Sequence, residues 1–200
     1  IICMDKSYIF EAERNTLETQ IKMTIDASEN HGLGFKGTTG IGFFDHMLNS
    51  FAIHSGLKID ADIKGDICVD CHHTIEDTGI VLGSILSDIV KVKSPVVRYG
   101  TAFIPMDEAL ARCVIDLSGR PYLVMNYTPK APMIGEYDTQ MTVEFFRAVA
   151  YNLKATVHIE LLYGQNEHHA VEAIFKSFAH ALKDAWQSKK GELLSAKGVL

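Results

Sequence analysis

The sequence lacks the features on which several protein classes depend. Its 200 residues hold no apolar run near the ~18 residues that a membrane span requires. Four cysteines are too few for a disulfide scaffold, so a reducing compartment is expected. No GxGxxG motif follows a predicted strand, which disfavours a doubly wound nucleotide fold. A net charge of −6 disfavours nucleic acid as a partner, but it leaves an anionic small-molecule substrate open.

An internal repeat is the most informative feature that is present. The pattern HHxxE occurs as HHTIE at residues 72–76 and as HHAVE at residues 168–172, an offset of 168 − 72 = 96 residues. Aligning the segments upstream of the two copies pairs His46 with Glu144, and both are residue types that ligate metals. Such self-similarity at about half the chain length indicates a duplicated structural unit.

The periodicity of apolar residues predicts the same order of elements in each half. Residues 57–64 alternate apolar and charged side chains, and residues 157–161 do so less regularly, as half-buried strands do. After each HHxxE the apolar spacing becomes helical. Further strands are expected at residues 21–25, 110–117 and 122–126. We predict an α+β fold of two tandem related halves, residues 1–94 and 95–200, each a sheet with helices on one face, packed as one compact unit.

The spacing within HHxxE suits metal binding. On a helix, His72 and Glu76 share a face and can hold one ion, whereas His73 is rotated by about 100° and is free to serve another. The second copy repeats this geometry, so we predict two metal sites that mix ligands from both halves or from neighbouring chains. Imidazole and carboxylate ligands suit Mn, Fe, Co, Ni or Zn. Structural zinc at the Cys68-x-x-Cys71 pair is disfavoured, because no second cysteine pair exists.

Motifs along nearly the whole chain resemble, in order, those of one enzyme family. They are RxTxET at 14–19, GFFDHML at 42–48, HSGL at 54–57, DxHHTIEDxG at 70–79, RYG at 98–100, PMDEAL at 105–110, DLSGRPY at 116–122, EFFR at 144–147, HI at 158–159, HHxxEAxFK at 168–176 and SAKGVL at 195–200. The chain resembles the imidazoleglycerol-phosphate dehydratase family of histidine biosynthesis. The monofunctional form is expected, since no phosphatase domain precedes these motifs.

The resemblance implies a fold, a reaction and an assembly. The fold is a duplicated unit like the second domain of ribosomal protein S5. The reaction is the metal-dependent dehydration of D-erythro-imidazole glycerol phosphate to imidazole acetol phosphate, which we expect to pass through a metal-bound imidazolate and a diazafulvene-like intermediate. Two Mn²⁺ ions per subunit are implied at subunit interfaces, in a cytoplasmic homo-oligomer of 24 subunits built from trimers.

The resemblance also assigns roles by motif. The metal ligands it implies are His46, His72, His73, Glu76, Glu144, His168, His169 and Glu172. Many relatives have histidine where this chain has Glu144, which leaves that ligand open. The substrate-binding residues it implies are Glu18, Arg98, Arg120, Lys176, Ser195 and Lys197. Glu18 is the first candidate for a catalytic proton shuttle, followed by Glu76 and Glu172.

Two other functions fit the ligand pattern. A binuclear metallohydrolase that acts on a phosphate ester also needs clustered histidines and carboxylates. A protein that stores metal, or whose subunits are joined by interfacial metal ions, needs the ligands. It needs neither the predicted phosphate-binding residues nor the RxTxET motif. Release of inorganic phosphate would favour hydrolysis, and an intact phosphate beside a new ketone would favour dehydration.

Overall fold

The computed structural model describes residues 8–28 and 32–189. Within them, the chain forms two four-stranded sheets, one short hairpin and four helices. In chain order the elements are β1 (Ile9–Asn15), β2 (Thr19–Asp26), β3 (Gly34–Lys36), α1 (Gly42–Ser55), β4 (Lys58–Gly65), α2 (His72–Lys93), β5 (Tyr99–Met106), β6 (Ala109–Asp116), β7 (Tyr122–Asn126), β8 (Met133–Ile134), β9 (Tyr137–Asp138), α3 (Met141–Leu153), β10 (Thr156–Tyr163) and α4 (Glu167–Ala185).

The two sheets repeat one topology. Their strand orders are β1-β2-β4-β3 and β5-β6-β10-β7. In each, three strands are antiparallel, and the last edge strand runs parallel to its neighbour. The predicted α+β class and the order strands, helix, strand, helix in each half are therefore confirmed. The expected boundary between residues 94 and 95 falls between α2 and β5, and the division into two domains stays a prediction.

The sequence pattern did not reveal the first strand of either half. The partly buried residues of β1 are Phe10, Ala12 and Arg14, so a charged side chain interrupts its apolar alternation. In β5 the buried positions are Gly100 and Ala102, which carry almost no hydrophobic signal. Small residues are required there because α4 lies very close, and a Cβ on Gly100 would stand 1.9 Å from a backbone oxygen of α4.

The layers of the molecule are sheet, helix, helix and sheet. Helices α1 and α2 cover the first sheet, α3 and α4 contact the second, and the two helix layers pack as α1 against α4 and α2 against α3. Six fully buried phenylalanines of the described residues fill the space between the helices: Phe44, Phe51, Phe145, Phe146, Phe175 and Phe178. This packing brings helices from different halves together. Within the described residues, no helix combines the length and the apolarity that crossing a bilayer would require.

Both HHxxE motifs lie on the first turn of a helix, as the sequence predicted, and at each helix start a side-chain oxygen accepts from a backbone N–H. Helix α2 begins at His72, whose backbone N–H donates to Asp70 Oδ1 over 2.8 Å. Helix α4 begins at Glu167, and Asn166 Oδ1 accepts from the backbone N–H of His168 at 2.9 Å. These contacts satisfy N–H groups that a helix start leaves unpaired. The motif side chains therefore project from well-fixed helix ends.

Candidate active site

Three ligand-type side chains from both halves meet where α1 packs on α4. Glu172 Oε2 lies 3.4 Å from His46 Nε2 and 3.2 Å from His168 Nε2. In residues 8–28 and 32–189 this is the one group of three or more His, Cys, Asp or Glu side chains whose ligand atoms all lie within 4.8 Å of one another. Two imidazoles and a carboxylate form a donor set that suits a divalent transition metal.

Lys176 fixes the other oxygen of this carboxylate. Its Nζ lies 2.6 Å from Glu172 Oε1, on the next turn of α4, where the sequence placed it. Burial of Glu172 alone would raise its pKa, but the hydrogen bond and charge of Lys176, with a contribution from His46, outweigh burial and lower it. The carboxylate is therefore ionised, with Oε2 turned toward the two histidines.

The first HHxxE forms a more open pair. His72 Nε2 lies 3.3 Å from Glu76 Oε2, and both side chains are a little over two-fifths exposed. Glu144, which aligns with His46, lies on α3, where its carboxylate is ion-paired with Arg147. The structure thus joins His46 to the second motif but does not join Glu144 to the first, and the ligand role of Glu144 stays a prediction.

The second histidine of each motif faces a different set of carboxylates. His73 Nδ1 is 3.0 Å from Asp66 Oδ2, and its Nε2 is 3.7 Å from Glu18 Oε1. His169 Nδ1 is 2.7 Å from Glu108 Oε2. The ring centroids of the two adjacent histidines are 6.1 Å apart in the first motif and 6.2 Å apart in the second. This divergence agrees with the rotation of about 100° between neighbouring helix positions.

These carboxylates control the charge of the histidines. The hydrogen bond with Asp66 raises the pKa of His73, and that with Glu108 raises the pKa of His169. Glu108 itself has its pKa lowered to about 2, because it accepts from the backbone N–H of Asn166, from His169 and from the backbone N–H of Gln165. Glu108 is therefore an anion throughout the physiological pH range.

The RxTxET motif forms the turn that carries Glu18. Thr16 Oγ1 accepts from the backbone N–H of Glu18 at 3.1 Å and of Thr19 at 2.9 Å. The Thr19 hydroxyl donates to Asp77 Oδ2 at 2.5 Å, and Arg14 Nε is ion-paired with Asp77 Oδ1 at 2.8 Å. Asp77 is buried in α2, so it ties the hairpin to the helix that carries the first HHxxE. Sequence reasoning gave Asp77 no role, although it lies inside a matched motif.

Two of the predicted phosphate ligands share one acidic partner. Arg98 donates to Asp116 through Nε at 2.7 Å and through Nη2 at 3.2 Å. Arg120 Nη2 lies 3.7 Å from the same carboxylate, and its side chain is largely exposed. Both arginines therefore lie at one end of the second sheet, where Asp116 orients them.

These arginines are far from Lys176 of the same chain. Lys176 Nζ lies 3.6 Å from Met106 Sδ, at the end of β5 opposite to Arg98. The length of β5 separates the two ends by about 23 Å, at ~3.3 Å per residue. One chain does not bring the predicted substrate-binding residues together. Ser195 and Lys197 lie outside the described residues.

Sequence reasoning also missed a histidine pair beyond Lys176. His180 Nε2 lies 3.0 Å from Nδ1 of His54 on α1. Burial, with smaller electrostatic contributions from His180 and Lys176, lowers the pKa of His54. The four-residue spacing of positions 168, 172, 176 and 180 was a signal for this stripe of polar side chains on α4.

Comparison with known proteins agrees with these observations. The family model for imidazoleglycerol-phosphate dehydratase matches residues 39–182. A Staphylococcus epidermidis protein of that name is 47% identical over 192 residues, covering 96% of this chain and 98% of the relative. The crystal structure of the Staphylococcus aureus N315 enzyme has a TM-score of 0.81 at 43% identity, over 90% of this chain and 99% of that one. A Pyrococcus furiosus IGPD, in complex with (S)-C348, has a TM-score of 0.82 at 34% identity, over 94% of this chain and all of that one.

Proposed function

Because this chain belongs to the imidazoleglycerol-phosphate dehydratase family, hydro-lyases of histidine biosynthesis, we propose that it dehydrates D-erythro-imidazole glycerol phosphate to imidazole acetol phosphate at a metal centre built on its two HHxxE helices. The observation that carries this proposal is the convergence of His46, His168 and Glu172, beside Lys176, from two separate halves of the chain.

The donor set fits a divalent transition metal, and we propose two Mn²⁺ ions per subunit. His46, His168 and Glu172 would hold one ion together with ligands from elsewhere. His72 and Glu76 would contribute to the other, and His73, His169 and Glu144 are the remaining candidate ligands. A bound divalent ion supplies a Lewis acid and a template for the azole ring and hydroxyl of the substrate. The intermediates expected from the sequence stay predictions.

We propose that neighbouring subunits complete each site, in a particle of 24 subunits built from trimers. The described ligand atoms meet in a group of three and a pair, fewer than the four to six that transition metals usually bind. The ligand side chains of His46, His72 and His168 are each about two-fifths exposed, which leaves room for further ligands. Arg98 and Arg120 lie about 23 Å from Lys176 along the strand, so arginines from another chain are needed if all three bind one phosphate.

Two side chains of this chain would bind the substrate phosphate and transfer protons. Lys176 is held by Glu172 as a fixed cation beside the three-ligand cluster, which suits the phosphate of the substrate. Dehydration moves one proton off a carbon and one onto the departing hydroxyl, so it needs a positioned acid and base. Glu18 has the freedom for that role, because it is about half exposed while its turn is fixed by Thr16 and Thr19.

We also propose a cytoplasmic location and no nucleic-acid partner. The described cysteines, Cys68, Cys71 and Cys113, are unpaired, in keeping with a reducing compartment. The net charge of −6 disfavours attraction to phosphate backbones.

A product assay tests the proposal. The purified protein is incubated with imidazole glycerol phosphate, and the ketone product and inorganic phosphate are both quantified, with the metal content measured on the same sample. We expect ketone with the phosphate intact, about two transition-metal ions per chain, and loss of turnover after chelation. Release of inorganic phosphate would instead support the phosphate-ester hydrolase. Sizing before and after chelation shows whether the metal also holds subunits together.

A further inference from the structure

We propose that Asp66 and Glu108 are positioning residues for the metal centre, each holding Nδ1 of the second histidine of an HHxxE motif so that Nε2 is the atom presented to a metal ion. This inference rests on the metal centre of the proposed function. It assigns roles to two carboxylates that sequence reasoning passed over.

Glu108 is itself rigidly held. Its Oε2 lies 2.7 Å from His169 Nδ1. Its Oε1 accepts from the backbone N–H groups of Gln165 at 2.9 Å and Asn166 at 2.7 Å. The carboxylate therefore joins the β5–β6 turn to the loop before α4 and uses both oxygens as acceptors. An acceptor at Nδ1 requires the proton there, which leaves the lone pair of the neutral ring on Nε2.

Asp66 makes the equivalent contact in the first half. Both of its oxygens lie close to His73 Nδ1, at 3.1 and 3.0 Å. Its backbone N–H donates to the carbonyl oxygen of Glu18 at 3.1 Å, so the same residue is tied to the β1–β2 turn. His73 Nε2 then points toward the Glu18 carboxylate, 3.7 Å away.

The two contacts arise from different parts of the repeat. Asp66 lies seven residues before His73, whereas Glu108 lies 61 residues before His169. Simple duplication of one local contact does not explain the match, because the carboxylates come from unrelated elements. A carboxylate on the far nitrogen of a histidine ligand sets the tautomer and ring orientation, and its loss typically weakens metal binding about 10- to 100-fold.

The test measures metal retention in the assembled protein. Holoprotein loaded with Mn²⁺ is equilibrated with a graded series of EGTA, and the metal retained per chain is measured by mass spectrometry. The variants are Glu108→Gln, Asp66→Ala and Asp66→Asn, with Asp62→Asn as the control. Asp62 is a largely exposed acid that lies 3.7 Å from Lys64, so its loss removes one charge from the same segment.

The expected results follow from the number of acceptors. Glutamine at 108 has one accepting oxygen for three N–H donors, so Glu108→Gln should weaken Mn²⁺ retention by about 10- to 100-fold. Asp66→Ala should do the same, whereas Asp66→Asn keeps one accepting oxygen and should recover most of the loss. Asp62→Asn should stay within about twofold of wild type, and melting temperatures are recorded to identify any variant that fails to assemble.

Each outcome of the metal-retention test leads to a different conclusion. If the wild-type protein itself retains no metal, the proposed metal centre is wrong. If it retains metal and Asp66→Ala and Glu108→Gln retain it equally well, the positioning role is refuted. An equal loss in Asp62→Asn, or no recovery in Asp66→Asn, would show that general charge or folding is responsible. If Glu108→Gln does not assemble, the comparison of Asp66→Ala with Asp66→Asn decides.

Discussion

Replacing Asp77 with alanine should separate the β1–β2 hairpin, which carries Glu18, from helix α2. Asp77 is buried and contacts the hydroxyl of Thr19 and the guanidinium of Arg14. A buried hydroxyl without its partner costs about 1–3 kcal/mol, and Thr16 Oγ1, 3.2 Å from that of Thr19, offers a replacement that favours the low end. Arg14 is about two-fifths exposed, so solvent screening limits the loss of the ion pair to roughly 1 kcal/mol.

The expected total for Asp77→Ala is about 2–3 kcal/mol of unfolding free energy. For a chain of this size it corresponds to a fall in melting temperature of roughly 5–10 °C, measured at one fixed subunit concentration. Asp77→Asn keeps an acceptor for the Thr19 hydroxyl, so its melting temperature should fall less than that of Asp77→Ala. The matched control is Asp88→Ala on the same helix, since Asp88 is exposed and its partner among the described residues is the surface residue Lys91.

Measuring kcat and metal content of Asp77→Ala then shows whether the loss of stability also affects function. Asp77 is not among the proposed ligands, so Asp77→Ala should keep its metal while its kcat falls at least about tenfold, or ~1.4 kcal/mol, because Glu18 loses its fixed position. The reasoning is refuted if Asp77→Ala has the same melting temperature as the Asp88→Ala control, or if its kcat stays within about twofold of wild type. Loss of metal together with activity would show that Asp77 supports the ligands and not the hairpin.

Further predictions test separate features. Glu18→Gln should keep its metal and lose more than about tenfold in turnover, and survival of turnover would exclude Glu18 as the proton shuttle. Arg120→Ala should raise KM with little change in melting temperature, because Arg120 is largely exposed, and an unchanged KM would remove it from phosphate binding. Gly83→Ala should cost about 1–3 kcal/mol, measured by thermal melting, because its Cβ would lie 2.7 Å from the carbonyl oxygen of Val149. Retention of Mn²⁺, measured per chain over a pH series, should weaken as the pH falls, because Glu108 raises the pKa of His169 above its ordinary 6.5 and protons therefore compete with the metal from a higher pH. In metal-free protein the same raised pKa stabilises the fold below pH 6.5, and this contribution is lost as the pH rises through the raised value.

The sequence by itself determined what depends on local spacing. The helical spacing of apolar residues after each HHxxE predicted helices that begin near the motifs, because neighbours three and four residues apart share a face of a helix. The same spacing placed Lys176 beside Glu172, where the structure has it. The repeat predicted a duplicated α+β fold, because self-similarity at about half the chain length indicates a structural unit that occurs twice. The motif resemblance predicted the enzyme family, which the comparisons establish.

Only the tertiary structure decided which distant residues meet. His46 contacts Glu172 across 126 residues because α1 of the first half packs on α4 of the second, and no spacing rule encodes that choice of partner. Asp66, Glu108 and Asp77 acquired their partners in the same way, through loops and helices brought together by the core. The strand length that keeps Arg98 and Arg120 far from Lys176 likewise exists only once the sheet has formed, because distance in space depends on packing and not on separation along the chain.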